Sequence, residues 1–257
     1  YYMKDNIVFL GTGTSHGVPM IGCSCKVCKS HNKKDKRLRS SAFITINSVN
    51  ILIDIGPDFR AQMLKSKVKQ INTVLITHEH RDHTAGLDDL RPIYYLQKKP
   101  IDIYLESRVK KSLEDNFKYL FSDNTYLGMP KINLNTILNA NFFISDIRIT
   151  PIRVMHNKLP ILGYRIGDIC YITDCNYITP KEKKKLYGVK ILIINSLQQD
   201  SHVSHYNLAE SLSLIEEIKP DRAYLTHISH NMGMHSLVNE KLPSNVFLAY
   251  DNLEVSF

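Results

Sequence analysis

The chain has 257 residues, 43% of them hydrophobic and 23% charged, with a formal net charge of +8 at pH 7. This length suits one α/β domain with its own core, and because no apolar run approaches the roughly 18 residues that span a bilayer, we expect a cytoplasmic protein without membrane contacts. The positive charge favours anionic ligands, although blocks such as KKDKR and KEKKK are typical of solvated surfaces.

A predicted strand, NIVFL, comes first and leads into the glycine-containing segment GTGTSHG. This segment fits neither phosphate-binding motif, because His16 stands where the dinucleotide fingerprint needs glycine and the Gly-Lys pair of the Walker motif is absent. We expect its glycines to allow a tight turn that brings the following loop into place.

Three cysteines follow within six residues: Cys23, Cys25 and Cys28. Cysteines this close cannot pair comfortably with one another, so the cluster predicts a bound metal rather than disulfides. The local spacing offers His31 as a fourth zinc ligand, while His230 offers a distant one. We therefore predict a zinc-binding loop at residues 22–31.

Three predicted strands come next, SAFITIN, NILIDIG and TVLIT, and the third ends in the segment THEHRDH. In an extended segment His78 and His80 point the same way, so their imidazoles can hold one ion together. Asp82 and His83, at the start of a predicted helix, face a different position and can hold a second ion. Four ionisable side chains within six residues have no packing role that offsets their desolvation, so the segment predicts a metal site.

Apolar spacing and capping signals predict three helices. Residues 107–121 carry an apolar stripe that is typical of an amphipathic helix. Thr179 with Pro180 marks a second helix start, and Asn207 with Glu210 marks a third. The apolar residues expected to face inward are Val109, Leu113, Phe117 and Leu120 in the first helix, and Leu208, Leu212, Ile215 and Ile218 in the third, which Pro220 ends.

The second half of the chain places further candidate ligands at the ends of predicted strands. His156 ends IRVMH, Asp174 ends CYITD and His227 ends AYLTH. Each of these residues taken singly is typical of a surface or core position, but two ions need more ligands than the HxHxDH segment offers. We therefore predict that all three belong to the same metal centre.

The order ILIDIG, THEHRDH, His156, TDC and LTHISH resembles the metallo-β-lactamase fold superfamily over nearly the whole chain. The resemblance implies an α/β fold, a four-layer αββα sandwich, formed by residues 1–257 as a single domain. It also implies a dinuclear centre in which Asp174 bridges the ions, Asp82 has a catalytic role as well, and Asp54 braces the metal-binding loop through hydrogen bonds. The metal ligands that it implies are His78, His80 and His156 for the first ion, and Asp82, His83 and His227 for the second.

Within the superfamily, GTGTSHGVPMIGCSCKVC resembles the opening of the phosphodiesterases of the bacterial carbon-phosphorus lyase pathway, which hydrolyse a cyclic phosphate on ribose. This resemblance implies a hydrolase of small cyclic phosphate esters that uses a bridging hydroxide on two Mn or Zn ions, and a homodimer. It names His230, the second histidine of THISH, as the residue that completes a structural zinc site, with His31 as its competitor. It also implies that His205 acts as general acid or stabilises negative charge, since an imidazole ordinarily titrates near working pH.

Two other functions share much of this pattern. The transfer-RNA 3′-processing endonucleases carry HxHxDH, but they lack the cysteine cluster, usually have glycine where Arg81 stands and carry a long arm that residues 106–141 look too compact to form. A protein of pyrroloquinoline-quinone biosynthesis has the same fold and a similar cysteine loop, and would be a non-catalytic accessory protein. Because every expected ligand position is filled here, we predict turnover of a small phosphodiester and do not expect nucleic acid as a partner.

Overall fold

The computed structural model describes residues 5–66, 68–121 and 129–257. They form two compact units, and each unit is built around one seven-stranded sheet. The first unit comprises residues 1–10, 41–138 and 252–257, and the second comprises residues 11–40 and 139–251. No helix within the described ranges is long and apolar enough to cross a bilayer.

The strands are mostly short and rich in isoleucine, valine and leucine, as buried strands are. They are β1 (Asn6–Gly11), β2 (Ser41–Ile46), β3 (Val49–Ile53), β4 (Thr73–Leu75), β5 (Ile101–Leu105), β6 (Ile132–Thr136), β7 (Phe142–Ile144), β8 (Ile147–His156), β9 (Leu159–Ile166), β10 (Ile169–Ile172), β11 (Ile191–Asn195), β12 (Arg222–Thr226), β13 (Val246–Leu248) and β14 (Glu254–Ser256). Three of the site segments predicted from the sequence directly follow a strand end: those after β3, β10 and β12.

The helices lie between these strands. They are α1 (Phe59–Ser66), α2 (Arg81–Thr84), α3 (Leu90–Gln97), α4 (Ser107–Asn116), α5 (Lys118–Phe121), α6 (Pro180–Lys183), α7 (Leu208–Ile218) and α8 (His235–Asn239), with 3-10 turns at Lys33–Asp35, Leu87–Asp89 and His230–Met232. The parallel strand pairs described below are joined through these helices, as parallel connections require.

In the sheet of the first unit the strands pair in the order β14, β1, β2, β3, β4, β5, β6. The pairs β14 with β1 and β2 with β3 are antiparallel, whereas β3 to β6 run parallel. The carboxyl ends of parallel strands meet at one edge of a sheet, so residues that follow β3 and β4 come together. The Asp54 N–H donates to the Leu75 carbonyl at 2.9 Å, which fixes that approach.

The sheet of the second unit has the order β13, β12, β11, β10, β9, β8, β7. The strands β10 to β13 are parallel and β7 to β10 are antiparallel. The residues after β10, β11 and β12 therefore share one edge, where Asp174 and His227 stand. A buried cluster that includes Ile172, Leu225 and Ile218 packs α7 against this sheet.

The helix predicted over residues 107–121 is two helices. Phe117 separates α4 from α5, because its backbone leaves the helical conformation at φ −121° and ψ 41° while its N–H still donates to the Leu113 carbonyl. The four residues of the predicted stripe are nevertheless buried, with at most 7% of each exposed. The spacing predicted the buried face correctly and the helix length wrongly, since it does not reveal a break of one residue.

Both predicted helix starts are confirmed. The Thr179 hydroxyl accepts a hydrogen bond from the Glu182 N–H, and Asn207 and Glu210 form a reciprocal capping box. α7 ends at Ile218, just before Pro220, with the intervening residue in the left-handed conformation that ends many helices.

Candidate functional site

The HxHxDH segment of the first unit follows β4 and turns into α2. His78 is fully buried and His80 is exposed, yet Nε2 of His78 lies 3.0 Å from Nδ1 of His80. The ring of His83, one turn into α2, lies 4.3 Å from the ring of His78 between centroids. The structure thus brings together the histidines that the sequence assigns to this segment.

Asp54 orients two of these histidines. Its Oδ2 accepts a hydrogen bond from Nδ1 of His83 at 2.7 Å, and the carboxylate also accepts from the backbone N–H and the hydroxyl of Thr77. Because the Thr77 hydroxyl donates to Asp54, its oxygen accepts from Nδ1 of His78 at 2.9 Å. Both imidazoles therefore carry their proton on Nδ1 and present the Nε2 lone pair, the form that binds metals.

The charge of Asp54 depends on these partners. Burial raises the pKa of its carboxyl, and the neighbouring His83 and the hydrogen bonds from Thr77 oppose that shift. The residue also takes a left-handed backbone conformation, with φ 61°, that is uncommon outside glycine. Strain of this kind persists where the surrounding structure enforces it, and it clusters at functional sites.

Nε2 of His83 faces a carboxylate. The Oδ2 atom of Asp82 lies 3.2 Å from it. With the His83 proton on Nδ1, both atoms are hydrogen-bond acceptors, so the contact is favourable only with a cation between them. Imidazole nitrogen and carboxylate oxygen together suit Zn, Mn or Fe.

The second unit repeats this arrangement at Asp174 and His227, which both have left-handed backbones with φ 55° and 54°. The Ser40 hydroxyl donates to the Gly13 carbonyl, so its oxygen accepts from Nδ1 of His227 at 3.2 Å. Nε2 of His227 then faces Oδ1 of Asp174 at 3.1 Å. Again two acceptors face each other, and a cation fits between them.

His156, at the end of β8, donates from Nδ1 to the Ser204 carbonyl at 2.8 Å and so presents Nε2 as well. His205 lies beside it, with ring centroids 4.7 Å apart, and its Nδ1 is 3.7 Å from Oδ1 of Asp174. Burial is the main cause that lowers the pKa of His205 to about 3. The ring of His205 is therefore neutral at pH 7 in this environment, and its role as general acid or in stabilising negative charge stays a prediction.

The four predicted zinc ligands meet in the second unit. Nδ1 of His230 lies 3.3 Å from Sγ of Cys23 and 3.4 Å from Sγ of Cys25. With Sγ of Cys28, all four ligand atoms lie within 4.8 Å of one another. Three sulfurs and one imidazole nitrogen match a tetrahedral structural zinc site. His31 is exposed and does not join this group among the described residues.

The three thiols differ in acidity. The Cys28 N–H donates to Sγ of Cys25 and is the main reason why the pKa of Cys25 is lowered to about 6. Burial raises the pKa of Cys28 to about 11. Cys25 is thus a thiolate at neutral pH, whereas Cys28 must lose a proton to bind a metal ion.

Sequence analysis missed the hydroxyl groups that surround the candidate ligands. Thr77 and Thr173 hold His78 and Asp174, the latter by a hydrogen bond of 2.7 Å to Oδ2. A usable pattern was present, because each threonine directly precedes its ligand at a strand end. Ser40 comes from a distant segment, and no local pattern pointed to it.

Comparison with known families identifies the superfamily to which the chain belongs. A family described as the beta-lactamase superfamily domain matches residues 49–228. The chain belongs to the metallo-β-lactamase superfamily. This membership confirms the predicted superfamily and its α/β sandwich fold. The extent of a single domain over residues 1–257 stays a prediction.

Three similar proteins bear on the function within this superfamily. A solved structure described as a new diphosphatase from the PhnP family has a TM-score of 0.93 at 33% identity, covering 99% of this chain and 98% of that one. An octanoyltransferase of Porphyromonas gingivalis strain W83 is 39% identical over 250 residues, 96% of this chain and 50% of that protein. A ribonuclease Z of Exiguobacterium sp. strain AT1b is 27% identical over 166 residues, 62% of this chain and 47% of that protein. The chain spans about half the length of the curated relatives it matches.

Proposed function

We propose that the chain is a metal-dependent phosphodiesterase that hydrolyses small, cyclic phosphate esters. Superfamily membership and the likeness to a PhnP-family diphosphatase support this proposal. The observation that carries it is the shared protonation of four histidines: His78, His83, His156 and His227 each have Nδ1–H bonded to an oxygen, so each presents Nε2. Imidazoles held in this way are oriented to bind a metal ion through Nε2.

The proposed centre binds two divalent ions, Mn or Zn. The first ion is assigned to His78, His80 and His156, the second to Asp82, His83 and His227, and Asp174 is assigned to both. When bound, such ions would supply a nucleophile at neutral pH and would neutralise charge on the phosphoryl oxygens. A third ion, zinc, is assigned to Cys23, Cys25, Cys28 and His230 as a structural site.

The chain's own residues orient the reacting groups. Asp54 keeps His78 and His83 in the metal-binding tautomer. To Asp82 we assign the role of accepting a proton from the attacking water. His205 is neutral at pH 7 and so donates an N–H to a phosphate oxygen beside it. A phosphate anion there raises the pKa of His205, which lets the same ring pass a proton to the leaving alkoxide.

A second candidate function is cleavage of transfer-RNA precursors, which the similarity to a ribonuclease Z and the net charge of +8 favour. The arm that such enzymes carry was predicted to be absent from residues 106–141, but residues 122–128 lie outside the described residues, so this stays a prediction. Octanoyl transfer is not assigned, because the match covers half of that relative. A homodimer and a cytoplasmic location stay predictions.

The test compares two substrates with metal-loaded protein: a nucleoside 2′,3′-cyclic monophosphate and a transfer-RNA precursor with a 3′ extension. The proposal predicts hydrolysis of the cyclic ester and its loss in His80→Ala. Cleavage of the precursor alone would establish the second candidate. Metal binding without either reaction would support the accessory-protein alternative.

A further inference from the structure

His202 lies on the loop between β11 and α7, three residues before His205. Its ring is exposed and lies 5.1 Å from the ring of His205 between centroids. His205 in turn stacks on His227 at 5.0 Å, with 23° between the ring planes. These three rings form a row, here called the histidine row, that runs from buried His227 to exposed His202.

Backbone hydrogen bonds fix the loop that carries His202. The Leu197 N–H donates to the Tyr206 carbonyl at 2.9 Å, and the Tyr206 N–H donates to the Cys175 carbonyl at 2.7 Å. His156 donates to the Ser204 carbonyl within the same loop. These hydrogen bonds thus fix the position of the exposed end of the histidine row, as a binding residue requires.

The proton of His202 sits on the opposite nitrogen from that of the candidate metal ligands. The Ser204 N–H donates to Nδ1 of His202 at 3.4 Å, and the Ser204 hydroxyl lies 3.2 Å from the same atom. A backbone N–H cannot accept, so Nδ1 is the acceptor and the neutral ring carries its proton on Nε2. The metal ligands present lone pairs, whereas His202 presents an N–H donor, which suits an anion.

We propose that His202 is a substrate-binding residue whose Nε2–H donates a hydrogen bond to a phosphate oxygen of the diester. This inference rests on the proposed phosphodiesterase function and on the place of His202 in the histidine row. A hydrogen bond from an exposed ring to a charged oxygen exists in the ground state and in the transition state alike. Its loss therefore raises KM and leaves kcat nearly unchanged.

Three variants test the inference: His202→Ala, His202→Gln and, as a matched control, His31→Ala, which removes another exposed histidine of the same unit. With bis(p-nitrophenyl) phosphate we expect His202→Ala to raise KM about tenfold with kcat within about twofold, as for the loss of one hydrogen bond to a charged group. We expect His202→Gln to recover part of the affinity, because its amide N–H reaches a similar position. His31→Ala should behave as the wild type.

Calorimetric binding of inorganic phosphate to the metal-loaded protein separates this inference from the proposed function. We expect about tenfold weaker phosphate binding by His202→Ala than by the wild type. Equal binding, or no phosphate binding by the wild type, overturns the inference even if the diester is hydrolysed. A lower kcat at unchanged KM also overturns it, because it would show that His202 only supports His205. If no diester is hydrolysed, the proposed function fails and the phosphate measurement still decides the role of His202.

Discussion

The carboxylate of Asp54 accepts a 2.7 Å hydrogen bond from Nδ1 of His83, and both residues are fully buried. Through the hydroxyl of Thr77, the same carboxylate also sets the position of the proton on His78. One carboxylate therefore decides which nitrogen two candidate ligands present. Its removal should weaken metal binding without removing a ligand.

We expect Asp54→Asn to weaken binding of the active-site metal about 10- to 100-fold, the usual effect of losing a group that orients a ligand. The reason is that an amide oxygen accepts the hydrogen bonds from His83 and Thr77 more weakly than a carboxylate does. Metal content after dialysis against graded chelator measures the effect. Asp115→Asn, at an exposed position of α4, is the matched control. Equal metal content in the two variants would contradict the role of Asp54.

The cysteine site gives a second prediction. We expect His230→Ala to lose one zinc per chain and to lower Tm by about 5–10 °C, because the metal joins the cysteine loop to the turn that follows β12. His31→Ala should keep the zinc and the Tm. Zinc analysis with a thiol-reactive probe and a thermal scan measure both quantities. Retention of zinc by His230→Ala together with its loss by His31→Ala would show that the competing ligand binds instead.

Gly86 offers a test of how the HxHxDH segment is held. A Cβ at this position would lie 2.2 Å from the Gly56 carbonyl oxygen and 2.8 Å from Cβ of Phe59. We expect Gly86→Ala to lower the free energy of unfolding by more than about 2 kcal/mol, since backbone would have to move. Gly188→Ala is the control, because its Cβ meets open space and only its positive φ costs about 1 kcal/mol. Equal losses in urea titrations would contradict this packing.

His235 should make the free energy of unfolding depend on pH. Its Nδ1 accepts from the buried guanidinium of Arg37 at 3.2 Å, and burial, with the nearby charges of Arg37 and Lys34 against Asp35, lowers its pKa from 6.5 to about 4. As pH falls, the unfolded chain takes up this proton first. The stability that the neutral ring of His235 contributes is therefore fully present above about pH 6.5 and is lost by about pH 4.

We expect the free energy of unfolding to fall by about 1–3 kcal/mol more in the wild type than in His235→Asn between pH 6.5 and 4. The asparagine oxygen can accept from Arg37 but does not titrate. Denaturant titrations of both proteins across this range measure the difference. Parallel stability curves would rule out a titrating histidine at this contact.

Much of the candidate site could be predicted because strand ends carry it. HxHxDH, His156, Asp174 and His227 each end or follow an apolar run. Within a sheet, parallel strands such as β10 and β12 collect their carboxyl ends at one edge. His205 and His230 were different, since isolated histidines carry no periodic pattern. The residues left His31 and His230 open as zinc ligands, and only the family resemblance chose His230 and named His205. The tautomers could not be predicted at all, because they depend on hydroxyls such as Ser40 that are distant in sequence.

The fold was predictable to a similar degree. Apolar runs located most strands, and the capping signals at Thr179 and Asn207 located two helix starts, since both are local properties of the chain. The break at Phe117 depends on how that side chain packs, which spacing does not encode. The buried contact between Arg37 and His235 joins residues that are 198 positions apart in the sequence. Long-range polar contacts of this kind require the structure.

The most direct measurement of the central claim is the rate of nitrophenolate release from bis(p-nitrophenyl) phosphate as Mn or Zn is titrated into the protein. Asp174→Ala serves as the blank, and Asp168→Asn, at a partly exposed position in a turn of the same unit, is the control. The account predicts release that rises with metal, persists in the control and falls at least about 100-fold in Asp174→Ala. Undiminished release by Asp174→Ala, or none from wild-type protein with both metals bound, would contradict it.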